Sequence, residues 1–555
     1  MKSTVIVLVC CLCTLTSGFF FNSTLSNSTI TNSTNSSSLS NVVGLRFEVE
    51  KIPSPNVGQR NLGPRIIKTV QQPIINEQYY YRLDAGIGTP AQAVKLLIDT
   101  GSSDMWVLDA NDPYCSANSI NNDTYNATNE FDCTISGTFD PAKSKTFQRT
   151  PHEFYVKYGD NTFANGVFAN DHFSMGDTVV TDLGFGIGTT ANSSTGILGI
   201  GLPQNEATNF NNSKVASNGS FTYDNLPILL RNQGHIDRIA YSLYINQAGA
   251  TEGHILFGGV DHSKYSGNLW KVPIKNLYES KHPDPPEFTV QVDDISVKSS
   301  RCAEKQSITS KPLVALLDSG TTLTYLPEET VSRLANQINA TYFPDIGGYL
   351  QACNYADRGV SLTYYFGKVP ISVDLRQTYF PATKKDGKPI LNARGEEMCI
   401  LGFNSVASHQ EAILGDSFLR SAYVVFDLEK YEIALAQAVK SPQQKEDIEA
   451  IIDNIPRAQY ASNYVAPVDE EPECTPEETE REKQQLLITA DGEPINIDNP
   501  SNLEDSSHSL NSNPESEDEI DLSMVEGLAV ASSAHRIITS IGLQLVLVVL
   551  PLFVQ

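Results

Sequence analysis

Lys95-Leu-Leu-Ile-Asp99-Thr-Gly-Ser-Ser-Asp-Met-Trp106 is an apolar run that breaks at an aspartate, followed by a small hydroxyl residue, a glycine and another hydroxyl residue. The pattern returns 219 residues later as Leu313-Val-Ala-Leu-Leu-Asp318-Ser-Gly-Thr-Thr-Leu-Thr324. Such a run reads as a buried strand, and the Asp-x-Gly at its end as a tight turn. Each aspartate is therefore expected at the rim of a buried sheet. Two copies can set Asp99 and Asp318 face to face across an internal two-fold axis. Carboxyls about 3 Å apart cannot both ionise, and a pair that shares one proton can activate water. The repeat extends further. Ile-Leu-Gly closes at Gly199, 100 residues after Asp99, and again at Gly415, 97 residues after Asp318.

This doubled pattern resembles the pepsin-like aspartic proteases over about residues 75 to 437. The resemblance implies an all-β, bilobal fold of two pseudo-symmetric lobes with few short helices. It implies a catalytic dyad of Asp99 and Asp318, with Thr100 and Ser319 bracing the two loops. Ser102 and Thr321 stand where the family hydrogen-bonds the outer carboxylate oxygens. No cofactor is implied, and no His-Glu-x-x-His occurs to suggest a catalytic metal. A flap tyrosine in this family bonds a tryptophan seven residues after the first catalytic aspartate. Trp106 has that offset, and Tyr158, in Tyr158-Gly-Asp-Asn-Thr-Phe-Ala-Asn-Gly166, fits the flap. Its turn residues lie between β-rich flanks, as in a hairpin tip. Asp160 takes the place of a pepsin flap glycine.

Composition agrees with a β-rich chain. Turn formers are dense, at 36 Gly and 29 Pro, and separate short runs such as Phe154-Tyr-Val-Lys-Tyr158 and Tyr423-Val-Val-Phe426. A helix is expected from Pro327 to Ala340. Of the net charge of −26, residues 441–530 carry −19 and residues 66–440 carry −11. An acidic body of this kind disfavours nucleic acid as a partner.

The ends read as addresses. Residues 1–18 fit a secretory signal peptide, with Lys2, an apolar run from Val5 to Leu15 and small residues after it. Residues 531–555 fit a GPI-attachment signal: small residues Ala531 to Ala534, a short spacer, and an apolar stretch from Ile541 to Val554. Between these lie an Asn/Ser/Thr-rich segment and pro-segment (19–65), an N-terminal lobe (66–244), a C-terminal lobe (245–440) and an acidic, disordered stalk (441–530). Ten Asn-x-Ser/Thr sequons are present, Asn192 and Asn339 among them.

Six cysteines remain beyond the signal peptide, an even number that suggests disulfides in an oxidising compartment. Cys115 with Cys133 and Cys353 with Cys399 each bracket a polar loop within one lobe. Elimination leaves Cys302 with Cys474, a pair that spacing alone does not fix. The Cys115–Cys133 loop is long, and a cut in it would leave two disulfide-linked chains of an otherwise monomeric protein. That loop, the anchor signal, the acidic tail and Asp160 together resemble the yapsins, the fungal cell-surface branch of the family. The resemblance implies cleavage of polypeptides beside Lys or Arg, by a protein tethered to a membrane. The alternatives are a broad-specificity secreted pepsin-like protease and a non-catalytic surface glycoprotein on the same scaffold.

Overall fold

In the computed structural model all of the described residues fall in the unit of Ser40–Val49 and Ile66–Gln555. The structure describes residues 41–43, 68–76, 80–115, 132–209, 220–383, 388–406, 411–440, 445–463, 475–478 and 481. The signal peptide, pro-segment, most of the stalk and the anchor signal expected from the sequence lie outside the described residues.

Each half builds the same three-strand unit around its aspartate. In the first half Gln92–Asp99 and Met105–Leu108 flank Gly196–Gly199, parallel on one side and antiparallel on the other. In the second half Leu313–Leu317 and Thr324–Leu326 flank Ala412–Leu414 with the same two senses. The runs Leu96–Ile98 and Ala315–Leu317 are buried, as strands without a solvent face must be. The Ile-Leu-Gly repeat is explained by contact. A Cβ on Gly199 would sit 2.7 Å from the backbone N and O of Asp104, and one on Gly415 would sit 2.2 Å from the Thr321 carbonyl. Only glycine lets the middle strand press against each aspartate loop.

A long sheet joins the halves. Its central strands run in space Tyr265–Pro273, Glu432–Ala438, Ala422–Asp427, Ala240–Tyr244, Glu252–Phe257, Lys68–Asn76, Tyr81–Ile87 and Gln92–Asp99. The expected lobe boundary at 244/245 falls between two strands that pair antiparallel inside this shared sheet. The all-β, bilobal architecture expected from the sequence is the observed one. The expected helix spans Glu328–Ile338, between Pro327 and a left-handed Asn339, and buries Val331, Leu334 and Ile338.

The body continues into the segment assigned to the stalk. Ile448–Ala450 pairs antiparallel with Gly259–Asp261, and Ala458–Tyr460 pairs parallel with Leu269–Lys271. Between them Ile451 and Ile455 are buried against a cluster that includes Tyr244, Leu269, Tyr423 and Val425. The stalk expected from residue 441 thus gives way to a folded strap over residues 445–463. Its acidic side chains are used locally: Arg457 pairs with Asp447 at 2.9 Å and Glu449 at 3.0 Å, and His262 meets Glu449 at 3.2 Å. Exposed pairs of this kind contribute little, so the two isoleucines carry the docking. Ile451→Ala in the full chain should cost about 2–5 kcal/mol of stability. A chain ending at Lys440 should melt below one ending at Asn463. Coincident melting curves would show that the strap contributes nothing.

Candidate active site

The two aspartate turns meet each other in the buried interior. Asp99 and Asp318 are fully buried. Each carboxyl is held twice by its own turn. The Gly101 N–H donates to Asp99 Oδ1 at 2.8 Å and the Ser102 hydroxyl to Oδ2. The Gly320 N–H donates to Asp318 Oδ1 at 2.8 Å and the Thr321 hydroxyl to Oδ2 at 2.5 Å.

Thr100 and Ser319 tie one turn to the other. The Thr100 N–H donates to Ser319 Oγ at 3.2 Å, and the Ser319 N–H donates to Thr100 Oγ1 at 3.0 Å. The Thr100 hydroxyl then donates across to the Leu317 carbonyl at 2.9 Å, and the Ser319 hydroxyl to the Ile98 carbonyl at 2.8 Å. Each hydroxyl accepts and donates at once, so two buried turns cross the lobe boundary with these donors satisfied. The crossed turns bring the two buried carboxyls close enough for the Asp318 charge to act on Asp99. Burial first, then the Asp318 charge, push Asp99 well above the ordinary carboxylate range. Asp99 therefore keeps its proton at pH values where free carboxylates have lost theirs.

The flap is the hairpin of Gln148–Lys157 and Phe163–Met175, with Tyr158 at its turn. The Trp106 indole N–H donates to the Tyr158 hydroxyl oxygen at 2.8 Å. Burial, then the charge of Asp99, raise the Tyr158 phenol well above its usual value, so it stays a neutral donor. At the tip, Thr162 donates its N–H and its hydroxyl to the two Asp160 oxygens, each at 2.8 Å. Asn161 takes the left-handed conformation there, with φ of 72°. The Asp160 charge acts on Tyr158 and also on Tyr325, whose phenol is pushed up to about 12, chiefly by burial.

With this geometry the comparisons with known proteins agree. A family model for eukaryotic aspartyl protease matches residues 78–438. The chain belongs to the eukaryotic aspartyl protease family. It is 39% identical to aspartic proteinase yapsin-3 of Saccharomyces cerevisiae, over 70% of this chain and 72% of the relative. It is 36% identical to aspartic proteinase 3 of the same yeast, over 70% and 75%. An aspartic proteinase from Irpex lacteus matches in fold at 20% identity with a TM-score of 0.51, over 68% of this chain and 99% of the other. The protein is a yapsin-like aspartic endopeptidase.

Of the cysteines in this protease, Cys115 bonds Cys133 and Cys353 bonds Cys399, with Cα separations of 5.4 and 5.0 Å. Cys302 is also disulfide-bonded. Its expected partner, Cys474, and the loop at 116–131 lie outside the described residues. Arg301 reaches Glu478 at 3.8 Å, which brings the chain just after Cys474 close to Cys302. Among the described residues no cluster of His, Cys, Asp and Glu is arranged to hold a metal ion.

Two features of the site were not read from the sequence. Tyr325 stands seven residues after Asp318, as Trp106 does after Asp99, so the internal repeat carried the signal. The second is an acidic cluster behind the first aspartate turn. Asp104 accepts the Tyr223 hydroxyl at 2.9 Å and the Ala207 N–H at 2.7 Å, and Glu206 accepts the Tyr223 N–H at 2.8 Å. Burial, then the Asp104 charge, push Glu206 up to about 10 from an ordinary 4.5. Between those values the folded chain keeps a proton that the unfolded chain has lost, so stability falls as pH rises. This group alone can cost up to about 1.4 kcal/mol per pH unit in that window. Glu206→Gln keeps an acceptor for Tyr223 and removes the titration. Urea midpoints measured between about pH 5 and pH 8 should fall less steeply in the variant. An unchanged slope would refute the assignment.

Proposed function

We propose that Asp99 and Asp318 hydrolyse peptide bonds through a water molecule that their shared proton activates. The ionised carboxyl takes a proton from water as its oxygen attacks the scissile carbonyl carbon. The protonated carboxyl gives its proton to the carbonyl oxygen as that oxygen becomes a hydroxyl. As the tetrahedral diol collapses, one carboxyl gives its proton to the leaving amine and the other takes the proton of a diol hydroxyl as the carbonyl re-forms, which restores the one-proton state. The observation that carries this reading is the pair of fully buried carboxyls in two matching cradles. Thr100 and Ser319 fix the spacing, Ser102 and Thr321 orient the carboxyls, and Tyr158 on Trp106 covers the substrate. Asp99→Asn or Asp318→Asn should retain the fold and lose more than about 10³-fold in kcat. Activity within tenfold of the unmutated protein in either variant would sink the dyad. A statine-type inhibitor should bind, because its hydroxyl takes the place of the tetrahedral oxygen.

We further propose that the protease cleaves next to Lys or Arg at the cell surface. The charge of Asp160, felt by Tyr158 on the flap and Tyr325 in the second lobe, supports a basic side chain bound between them. Low-dielectric walls strengthen that attraction. The apolar stretches at residues 5–15 and 541–554 support secretion and a GPI tether. Asp160→Asn keeps an acceptor for the Thr162 N–H, so the tip should hold its shape. Turnover of Lys/Arg peptides should fall several-fold, about 1 kcal/mol, and the loss should shrink as salt is raised. Equal losses for basic and neutral peptides would refute the role of Asp160. A cleavage profile in a random peptide library without basic preference would leave a broad-specificity enzyme.

A further inference from the structure

The flap tip is held from a side that no catalytic residue occupies. Thr178–Ala191 ends beside the start of Phe163–Met175, where Ala191 faces Ala164. The next residue, Asn192, makes three bonds to the flap. Its N–H donates to the Phe163 carbonyl at 3.3 Å. Its side-chain Oδ1 accepts the Phe163 N–H at 2.6 Å, and its Nδ2 donates to the Asn161 carbonyl at 3.3 Å. The amide thus spans the turn from Asn161 to Phe163. Asp160 and Thr162 brace the same turn from within. Tyr158, four residues before Thr162, closes the hairpin by donating its N–H to the Thr162 carbonyl at 2.8 Å. A clamp at 161 and 163 therefore bears on the position of Tyr158.

Asn192 also opens the sequon Asn192-Ser193-Ser194 and is half-buried. A glycan linked to Nδ2 leaves a secondary amide, which is planar and keeps its substituent on the side of the oxygen. Oδ1 and Nδ2 engage one short stretch of flap backbone, so they do so along a single edge of the amide. That edge is where the first sugar carbon would sit. We infer that Asn192 positions the flap, and that this clamp and an N-linked glycan on Asn192 exclude each other. Protein without the glycan has a braced flap, and protein carrying it has a loosened one.

The kinetic arm rests on the peptidase reading above. The test uses the full chain expressed in a eukaryotic secretory host, with three variants. Ser194→Ala removes the sequon and keeps the clamp. Asn192→Ala removes both. Asn192→Asp removes the sequon and keeps an acceptor for Phe163. Ser194→Ala should match or exceed the unmutated protein in kcat/KM on an unmodified peptide. Asn192→Ala should lose about three- to tenfold at unchanged thermal midpoint, and Asn192→Asp should recover part of the loss. Hydrogen exchange of the segment 158–163 should quicken in Asn192→Ala, a readout that needs no activity and separates failure of the clamp from failure of the peptidase reading. Glycan occupancy at Asn192, mapped by mass spectrometry, should be absent from the fraction with full activity. Unchanged kinetics and exchange in Asn192→Ala would overturn the clamp. Full activity in molecules glycosylated at Asn192 would overturn the exclusion.

Discussion

Two carboxyls forced together in a buried place set the terms for the rest of this molecule. Left alone they would repel, take up separate protons or draw in water. The crossed bonds of Thr100 and Ser319 prevent separation, because each turn is anchored to a carbonyl of the other lobe. The Gly101, Ser102, Gly320 and Thr321 donors prevent rotation. What remains is a buried pair with little freedom. The lobes must then be rigidly related, and the long sheet shared between them supplies that relation. A displacement of either lobe would strain four hydrogen bonds in a place that water cannot repair.

Much of this was legible in the sequence because the pattern is written twice. Apolar run, aspartate, hydroxyl and glycine specify a strand and its turn from local chemistry. The Ile-Leu-Gly echo specifies the strand that packs against the turn, where the glycines are required by backbone contact. The Trp106–Tyr158 bond was implied by the resemblance to pepsin-like proteases, with the offset of Trp106 and the turn signal at Tyr158 placing it in this chain. The helix at Glu328–Ile338 followed from its apolar spacing.

What was missed depends on contacts distant in sequence. Asn192 read as one sequon among ten, and nothing local tells that its amide faces the flap. Glu206 and Asp104 lie 102 residues apart in number and are brought together by Tyr223 and the Ala207 N–H. The strap was hidden by composition: an acidic average over residues 441–530 masks the short run Ile448-Glu-Ala-Ile-Ile452. Averages over ninety residues describe solubility, whereas docking here is decided by two isoleucines that meet an apolar cluster formed elsewhere in the chain.

The strap has another consequence, for contacts between molecules. Tyr265–Pro273 is nine residues long and would otherwise end the long sheet with a row of open backbone groups. Such an edge is a template for a strand from another chain. The strap covers part of it with Ala458–Tyr460, only three residues long, so the new edge offers few groups to pair with. Short edges of this kind keep sheets from joining edge to edge. The same nineteen residues that close the fold thus also leave a neighbouring chain little open edge to pair with.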